Sequence, residues 1–390
     1  MNEYKKMFPM FINNKDIVYF DNAALGFKPY EVLQAGFDFY EKFSISTRTA
    51  DSKLGIFIAS QLANIRKNIA NFVDANENEL IFSSGTTESL NLIASMLSET
   101  INEGEIILSY YNHSSNIVPF LEQFKNKNIK FIYTKNNEEV LNNINKNTKI
   151  VALPQKSNTF EVDFDFDKIY KKCKENNAIL INDAAQAIVH EKVSLKNSDV
   201  IAFSANKIYG PTGIGALVIK EELINKLLPK KWGGGQVQDI YGSCHWDSKP
   251  SIIRFEPGTQ NFAGIFQFNA AIEFVKKLTY EKINELENEV YDYLILKLKE
   301  LSNVEIDKKS SNRIVLFNLK NIPSQDVASY LGHQNIYVRS GVFCAHKFKE
   351  LPEHNKSYIR VSISFYNDKE DVDILINTLK KMGDDYLGFL

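Results

Sequence analysis

The 390-residue chain reads as an α/β protein, with a large domain on a mainly parallel sheet followed by a smaller α+β domain. Three observations predict this. Between about Leu80 and Ile219, short β-rich runs alternate with helical stretches. Those runs are mostly continuous in apolar residues, as strands are when helices cover both faces of a parallel sheet. The length also exceeds the roughly 250–300 residues at which a single core stops growing, so two domains are expected.

The expected strands of the large domain are Glu79–Phe82, Glu105–Ser109, Lys130–Tyr133, Thr148–Leu153, Ala178–Asn182, Asp199–Phe203 and Gly215–Ile219. Ser89–Leu97 and Phe166–Glu175 carry helical periodicity and fit the crossovers between them. A long helical stretch from about Phe266 to Leu301 comes next. The remainder shows strands near Arg313–Leu319, Ile336–Val338 and Tyr358–Val361, then a final helix. The expected division is residues 16–275 for the large domain and 276–390 for the small one, with residues 1–15 packing on the small domain. Binding residues should gather at the carboxyl ends of the strands, between the two domains.

Bulk properties narrow the function. Hydrophobic content of 44% and charged content of 24% are ordinary for a globular protein, and a net charge of -2 favours neither nucleic acid nor an anionic membrane. The N-terminus has no apolar core or small-residue cleavage site of a signal peptide, and no run approaches the roughly 18 apolar residues of a membrane span. Three unevenly spaced cysteines (Cys173, Cys244 and Cys344) with no CxxC pair argue against a disulfide framework or a metal site. The expectation is a cytoplasmic enzyme.

Two strand ends point to a carbonyl cofactor. Asp199–Phe203 delivers Ser204, Asn206 and Lys207 into a turn rich in Gly and Pro, the setting of a Schiff-base lysine. Ala178–Asn182 delivers Asp183 and Gln186; Asp183 read alone is equally a helix cap. A lysine for an aldehyde and an acid for a pyridinium nitrogen together match pyridoxal 5'-phosphate (PLP). In Phe82–Ile93, a Gly turn followed by Thr86 and Thr87 at a helix start is by itself a simple cap, and after a strand becomes a phosphate seat. His113 and Asn158 each follow a strand, where stacking, proton transfer or a hydrogen bond to the cofactor competes with a plain turn role. Cys344 shares a Gly-containing loop with Arg339 and His346, whose positive charge favours a thiolate over an inert buried thiol. Arg360 lies in an apolar strand, where a guanidinium demands a partner; an amino-acid carboxylate fits.

With these residues in hand, the chain resembles fold-type I PLP enzymes of the class V aminotransferase group, and within it the SufS-type cysteine desulfurases. The resemblance is carried in order by YFDNAA (Tyr19–Ala24), SGTTESLNLIA (Ser84–Ala94), HSSNIVPF (His113–Phe120), INDAAQAIVH (Ile181–His190), FSANKIYGPTGIGAL (Phe203–Leu217), GGG (Gly233–Gly235), FEPGTQN (Phe255–Asn261), VRSGVFCA (Val338–Ala345) and IRVSISFYN (Ile359–Asn367). It implies that Lys207 binds the PLP aldehyde, His113 stacks on the ring, Asp183 holds the ring nitrogen, and Gln186 and Asn158 flank the ring hydroxyl. Thr86, Thr87 and Ser204 would hold the phosphate with Asn206 beside them, and Thr259 would reach the phosphate in the other subunit of a homodimer. Arg360 and Arg339 would hold the carboxylate of L-cysteine, and Cys344 would attack its sulfur.

The resemblance further implies transfer of that sulfur to a SufU- or SufE-type acceptor for iron–sulfur cluster assembly. Selenocysteine lyase, or another class V aminotransferase or epimerase, is the alternative activity on the same scaffold. The chain departs from the family pattern at several points. Asn206 stands where the family has His, Val342-Phe343 replace a His-rich approach to the cysteine, Thr47-Arg48-Thr-Ala-Asp51 replace an HRGxH stretch, and Gln325 stands where relatives with a zinc-containing scaffold partner carry His.

Overall fold

The computed structural model of the chain describes residues 2–46, 51–307 and 313–389. Its centre is a seven-stranded sheet in the spatial order Leu80–Ser83, Gly215–Ile219, Val200–Ser204, Ile179–Asp183, Thr148–Pro154, Glu103–Ser109, Asn128–Thr134. Every neighbouring pair is parallel except the two made by Gly215–Ile219, which runs antiparallel to Val200–Ser204 and to Leu80–Ser83. Each of the seven runs read from the sequence is therefore a strand. The reason for their unbroken apolar character is visible in Val200–Ser204. Val200 and Ala202 face a core shared with helix Thr86–Ser98, while Ile201 and Phe203 face one shared with helices Lys53–Phe72 and Phe262–Leu278.

The helical stretch expected from Phe266 to Leu301 is two helices, Phe262–Leu278 and Tyr280–Lys299. Thr279 divides them. Its backbone turns to φ 67°, and its side chain accepts a hydrogen bond from Lys282 N at 3.3 Å as the cap of the second helix. Helical periodicity on both sides hides such a break, because one β-branched residue carries no breaker signal.

The C-terminal unit is a four-stranded antiparallel sheet, Val304–Ile306, Ile314–Leu319, Tyr358–Ser362 and Arg339–Gly341, backed by helices Tyr280–Lys299, Ser324–His333 and Lys369–Phe389. The strand expected near Ile336–Val338 resolves into two pieces. Ile336–Tyr337 pairs in parallel with Val18–Tyr19, and only Arg339–Gly341 joins the sheet. Val18 and Phe20 consequently sit in the core of the C-terminal unit, although they lie within the stretch 16–275. The N-terminal segment touches both units. Lys5 pairs with Asp371 at 2.6 Å and Asp368 at 3.0 Å, while Phe8 packs on Tyr209 and Phe274 of the large unit.

A further apolar cluster runs across the join between the units, from Val151, Leu153 and Leu180 to Leu316, Phe343 and Tyr358. It seats the loop of Cys344 against the carboxyl ends of the parallel strands. No helix among the described residues is long and apolar enough to cross a membrane.

Candidate active site

The carboxyl ends of Ile179–Asp183 and Val200–Ser204 lie side by side, because the two strands pair in parallel with Asp183 opposite Ala202. Asp183 closes the first strand, 4% exposed, with its Oδ1 accepting from Ala185 N at 3.2 Å. The chain beyond Ser204 makes one turn of 3₁₀ helix, Ala205–Lys207, and Gly210 N returns to Ala205 O at 2.8 Å. A Cβ at position 210 would meet the Ala205 side chain at 2.8 Å, so glycine is required for the turn that presents Lys207.

The resulting cavity, about 320 Å³, is lined by Lys207, Asp183, Gln186, Thr86, Thr87, His113, Asn158, Ser204, Asn206, Cys344, Arg339 and Arg360. Of the site residues expected from sequence, only Thr259 lies elsewhere. It is exposed on the loop ahead of helix Phe262–Leu278. Thr47 and Arg48 fall outside the described residues.

Burial sets the charge states. It pushes the Lys207 amine down to about 8, with the Asp183 carboxylate pulling the other way. It pushes the Asp183 carboxyl up, opposed by Lys207 and by the Ala185 N–H. The His113 imidazole falls to about 4 through burial first, then through the positive charges of Lys207 and Arg360. Its Nδ1 accepts from Ser115 N at 3.2 Å, which places the ring proton on Nε2 of a neutral imidazole.

The residues present fit PLP. Gly85 caps helix Thr86–Ser98 with φ 148° and no capping side chain, so an anion-binding helix start stands beside the hydroxyls of Thr86, Thr87 and Ser204. Thr86 N donates to Ser204 Oγ at 2.8 Å, and Thr87 Oγ1 lies 2.8 Å from Ser115 Oγ, which gathers these hydroxyls. Asn158 Oδ1 is buried without a hydrogen-bond partner and is free to meet a ring substituent. Asp183 offers a buried carboxylate that a protonated pyridine nitrogen would keep ionised.

Arg360 does not stand alone in its strand. Its Nη2 donates to Asp21 Oδ1 at 2.7 Å, its Nη1 donates to Asn158 O at 3.0 Å, and Arg339 Nε donates to Asp21 Oδ2 at 3.1 Å. Asp21 was not among the expected site residues, although a buried arginine implies an acid and Asp21 follows an apolar run. Arg360 Nε stays buried with no partner, so the guanidinium keeps one unused donor. Cys344 is exposed, on a loop whose residues Phe343 and Cys344 both adopt positive φ, 54° and 58°.

The Aminotransferase class-V family model matches residues 18–375. This chain belongs to that family. A probable cysteine desulfurase of Ureaplasma parvum serovar 3 is 36% identical, the match covering 100% of both chains. A cysteine desulfurase of Wigglesworthia glossinidia brevipalpis is 33% identical over 98% of this chain and 97% of its own. The apo structure of a cysteine desulfurase from Thermococcus onnurineus NA1 superposes with a TM-score of 0.88 at 28% identity, over 97% of this chain and 96% of that one. The fold is that of fold-type I PLP enzymes, and the family is PLP-dependent.

Proposed function

We propose that the chain is a PLP-dependent cysteine desulfurase that converts L-cysteine to L-alanine and carries the released sulfur as a persulfide on Cys344. The observation that carries this reading is one cavity that joins a lysine of lowered pKa, a buried acid, a guanidinium with an unused buried donor and an exposed thiol. The relatives' names support it.

Lys207 and the hydroxyls of Thr86 and Ser204 would hold PLP, whose electron-withdrawing ring would supply stabilisation of negative charge at the substrate Cα. Asp183 would keep the ring nitrogen protonated. Arg360, with Arg339 across Asp21, binds the substrate carboxylate and so fixes which face of Cα meets Lys207. A Lys207 amine with a pKa near 8 is neutral often enough at physiological pH to take the Cα proton. Cys344 Sγ, as thiolate, then attacks the substrate sulfur. The Sγ–S bond forms and the substrate Cβ–S bond breaks; the electron pair of that bond takes a proton at Cβ, and Lys207 returns its proton to Cα, so that L-cysteine and the thiol give L-alanine and the persulfide. Arg339 lines the same cavity as Cys344 and, with the substrate ammonium, favours the anion.

The persulfide passes to a SufU- or SufE-type protein for iron–sulfur cluster assembly, and the working unit is a cytoplasmic homodimer in which Thr259 reaches the other subunit's phosphate. The large unit, residues 16–275, holds the cofactor; the small unit, 276–390, supplies Cys344 and the arginines. The test is alanine and persulfide formation from L-cysteine by the wild type and Cys344→Ala. Loss of persulfide with alanine formation down at least ~100-fold is expected. Unchanged alanine formation in the variant would overturn the reading.

A further inference from the structure

Phe343 and Cys344 hold two consecutive backbone conformations that residues bearing a Cβ seldom adopt. Such a loop keeps its shape only where its surroundings impose it. Within the loop, Ala345 N returns to Val342 O at 2.9 Å. Two side chains from the large unit grip it from outside. Asn158 Nδ2 donates to Phe343 O at 2.8 Å. Ser114 donates twice to Cys344 O, through its backbone N and through Oγ, each at 2.7 Å.

We propose that Ser114 is a positioning residue, which clamps the carbonyl of Cys344 and thereby aims its thiol into the cofactor cleft. Both acceptor sites of that carbonyl are filled by one residue. Ser114 directly follows His113 and opens the short turn Ser114–Asn116, whose Ser115 N–H fixes the His113 ring. The thiol loop is thus tied to the two residues, His113 and Asn158, that flank the ring seat. Ser114 Oγ also lies 3.2 Å from His346 Nδ1, two residues beyond the thiol. For desulfuration, Cys344 must meet the sulfur of a substrate bound beside Lys207 and Asp183 of the large unit. A loop of strained backbone on the exposed rim would otherwise sample directions in which the thiol faces solvent.

This inference rests on the desulfurase reading for its kinetic arm only. Holoenzyme of the wild type, Ser114→Ala and Ser114→Thr is compared in three measurements. The first is exchange of the Cα hydrogen of L-alanine in D₂O, which uses Lys207, Asp183 and Arg360 but no thiol. The second is alanine and persulfide formation from L-cysteine. The third is the rate at which iodoacetamide alkylates the Cys344 peptide at fixed pH, read by mass spectrometry in cofactor-free protein as well.

Ser114→Ala keeps the backbone donor and loses the hydroxyl. Its desulfuration falls about tenfold while L-alanine exchange stays within about twofold, as expected when one positioning bond is lost. Its Cys344 alkylation rate shifts at least about threefold with or without cofactor, as the loop is released. Ser114→Thr restores desulfuration and the alkylation rate. If Ser114→Ala fails to fold, Ser114→Gly removes the same hydroxyl and is scored identically. Wild-type desulfuration and alkylation in Ser114→Ala would overturn the proposal, as would equal losses in exchange and desulfuration with lowered cofactor content. A wild-type enzyme that exchanges L-alanine yet never desulfurates L-cysteine would sink the desulfurase reading, while the alkylation comparison still decides the clamp.

Discussion

Burial of the Arg360 guanidinium, 1% exposed, removes a charge from water and obliges the cleft to supply partners. Asp21 is the charged one, and it binds Arg339 as well. Asp21→Asn keeps the shape and removes the counter-charge, leaving two arginines to repel one another. Urea unfolding of the apoprotein should show a loss of about 2 kcal/mol, the order expected when a mostly buried pair loses one charge. An unchanged midpoint would mean that solvent already screens the pair.

Lys207 makes a second prediction. Its amine titrates near 8 rather than at the ordinary 10.5, so the neutral, nucleophilic form grows as pH rises through 8. The rate at which apoprotein takes up PLP should therefore rise to a plateau above about pH 9; a rate still climbing past pH 10 would mean an ordinary lysine. His113 carries the opposite consequence. Unfolded, its imidazole binds a proton near 6.5; folded, only near 4. The unfolded state then holds more protons between those values, so folding stability falls as pH drops from about 6.5 to 4. His113→Asn should flatten that part of the melting-temperature curve in apoprotein.

At the scale of elements, the active site is made by strand ends and the turns that leave them. Gly215 starts the strand that lies between Leu80–Ser83 and Val200–Ser204, and a Cβ there would meet Gly85 Cα and Phe203 O, each at 2.6 Å. Both neighbours are backbone, so neither can rotate away. Gly215→Ala should destabilise the protein by about 2–3 kcal/mol and push Gly85 away from Thr86 and Ser204, the proposed phosphate seat, weakening PLP retention on dilution. Wild-type melting and PLP retention together would show that the strands can part without harm. Elements of this kind were readable in the sequence because continuous apolar runs mark parallel strands, and the sheet places the residues that leave each run. Thr279 shows the opposite case. Its break depends on a single backbone conformation that no pattern of apolar residues records.

At the scale of the whole molecule, the cavity exists because two units and a remote N-terminal strand meet. Val18–Tyr19 pairs with Ile336–Tyr337, which carries Asp21 to Arg360 across 339 positions of sequence. In the proposed homodimer, Thr259, exposed on its own chain, serves the neighbouring subunit's site. Mixing Lys207→Ala with Thr259→Val, after exchange of subunits, should then regenerate one unmodified site per mixed dimer. Activity above the sum of the two variants is expected; strict additivity would mean that Thr259 does not serve the other subunit's site.

The sheet and the cofactor were legible in the chain alone, since apolar runs followed by Lys207, Asp183 and Thr86 are local signals, read within a dozen residues. Only the tertiary structure decided the partner of Arg360, the grip of Ser114 on Cys344, and the neutral state of His113. Each of these depends on what another segment brings within hydrogen-bonding distance and on how much water it displaces, and neither quantity is written in the spacing of residues along one chain.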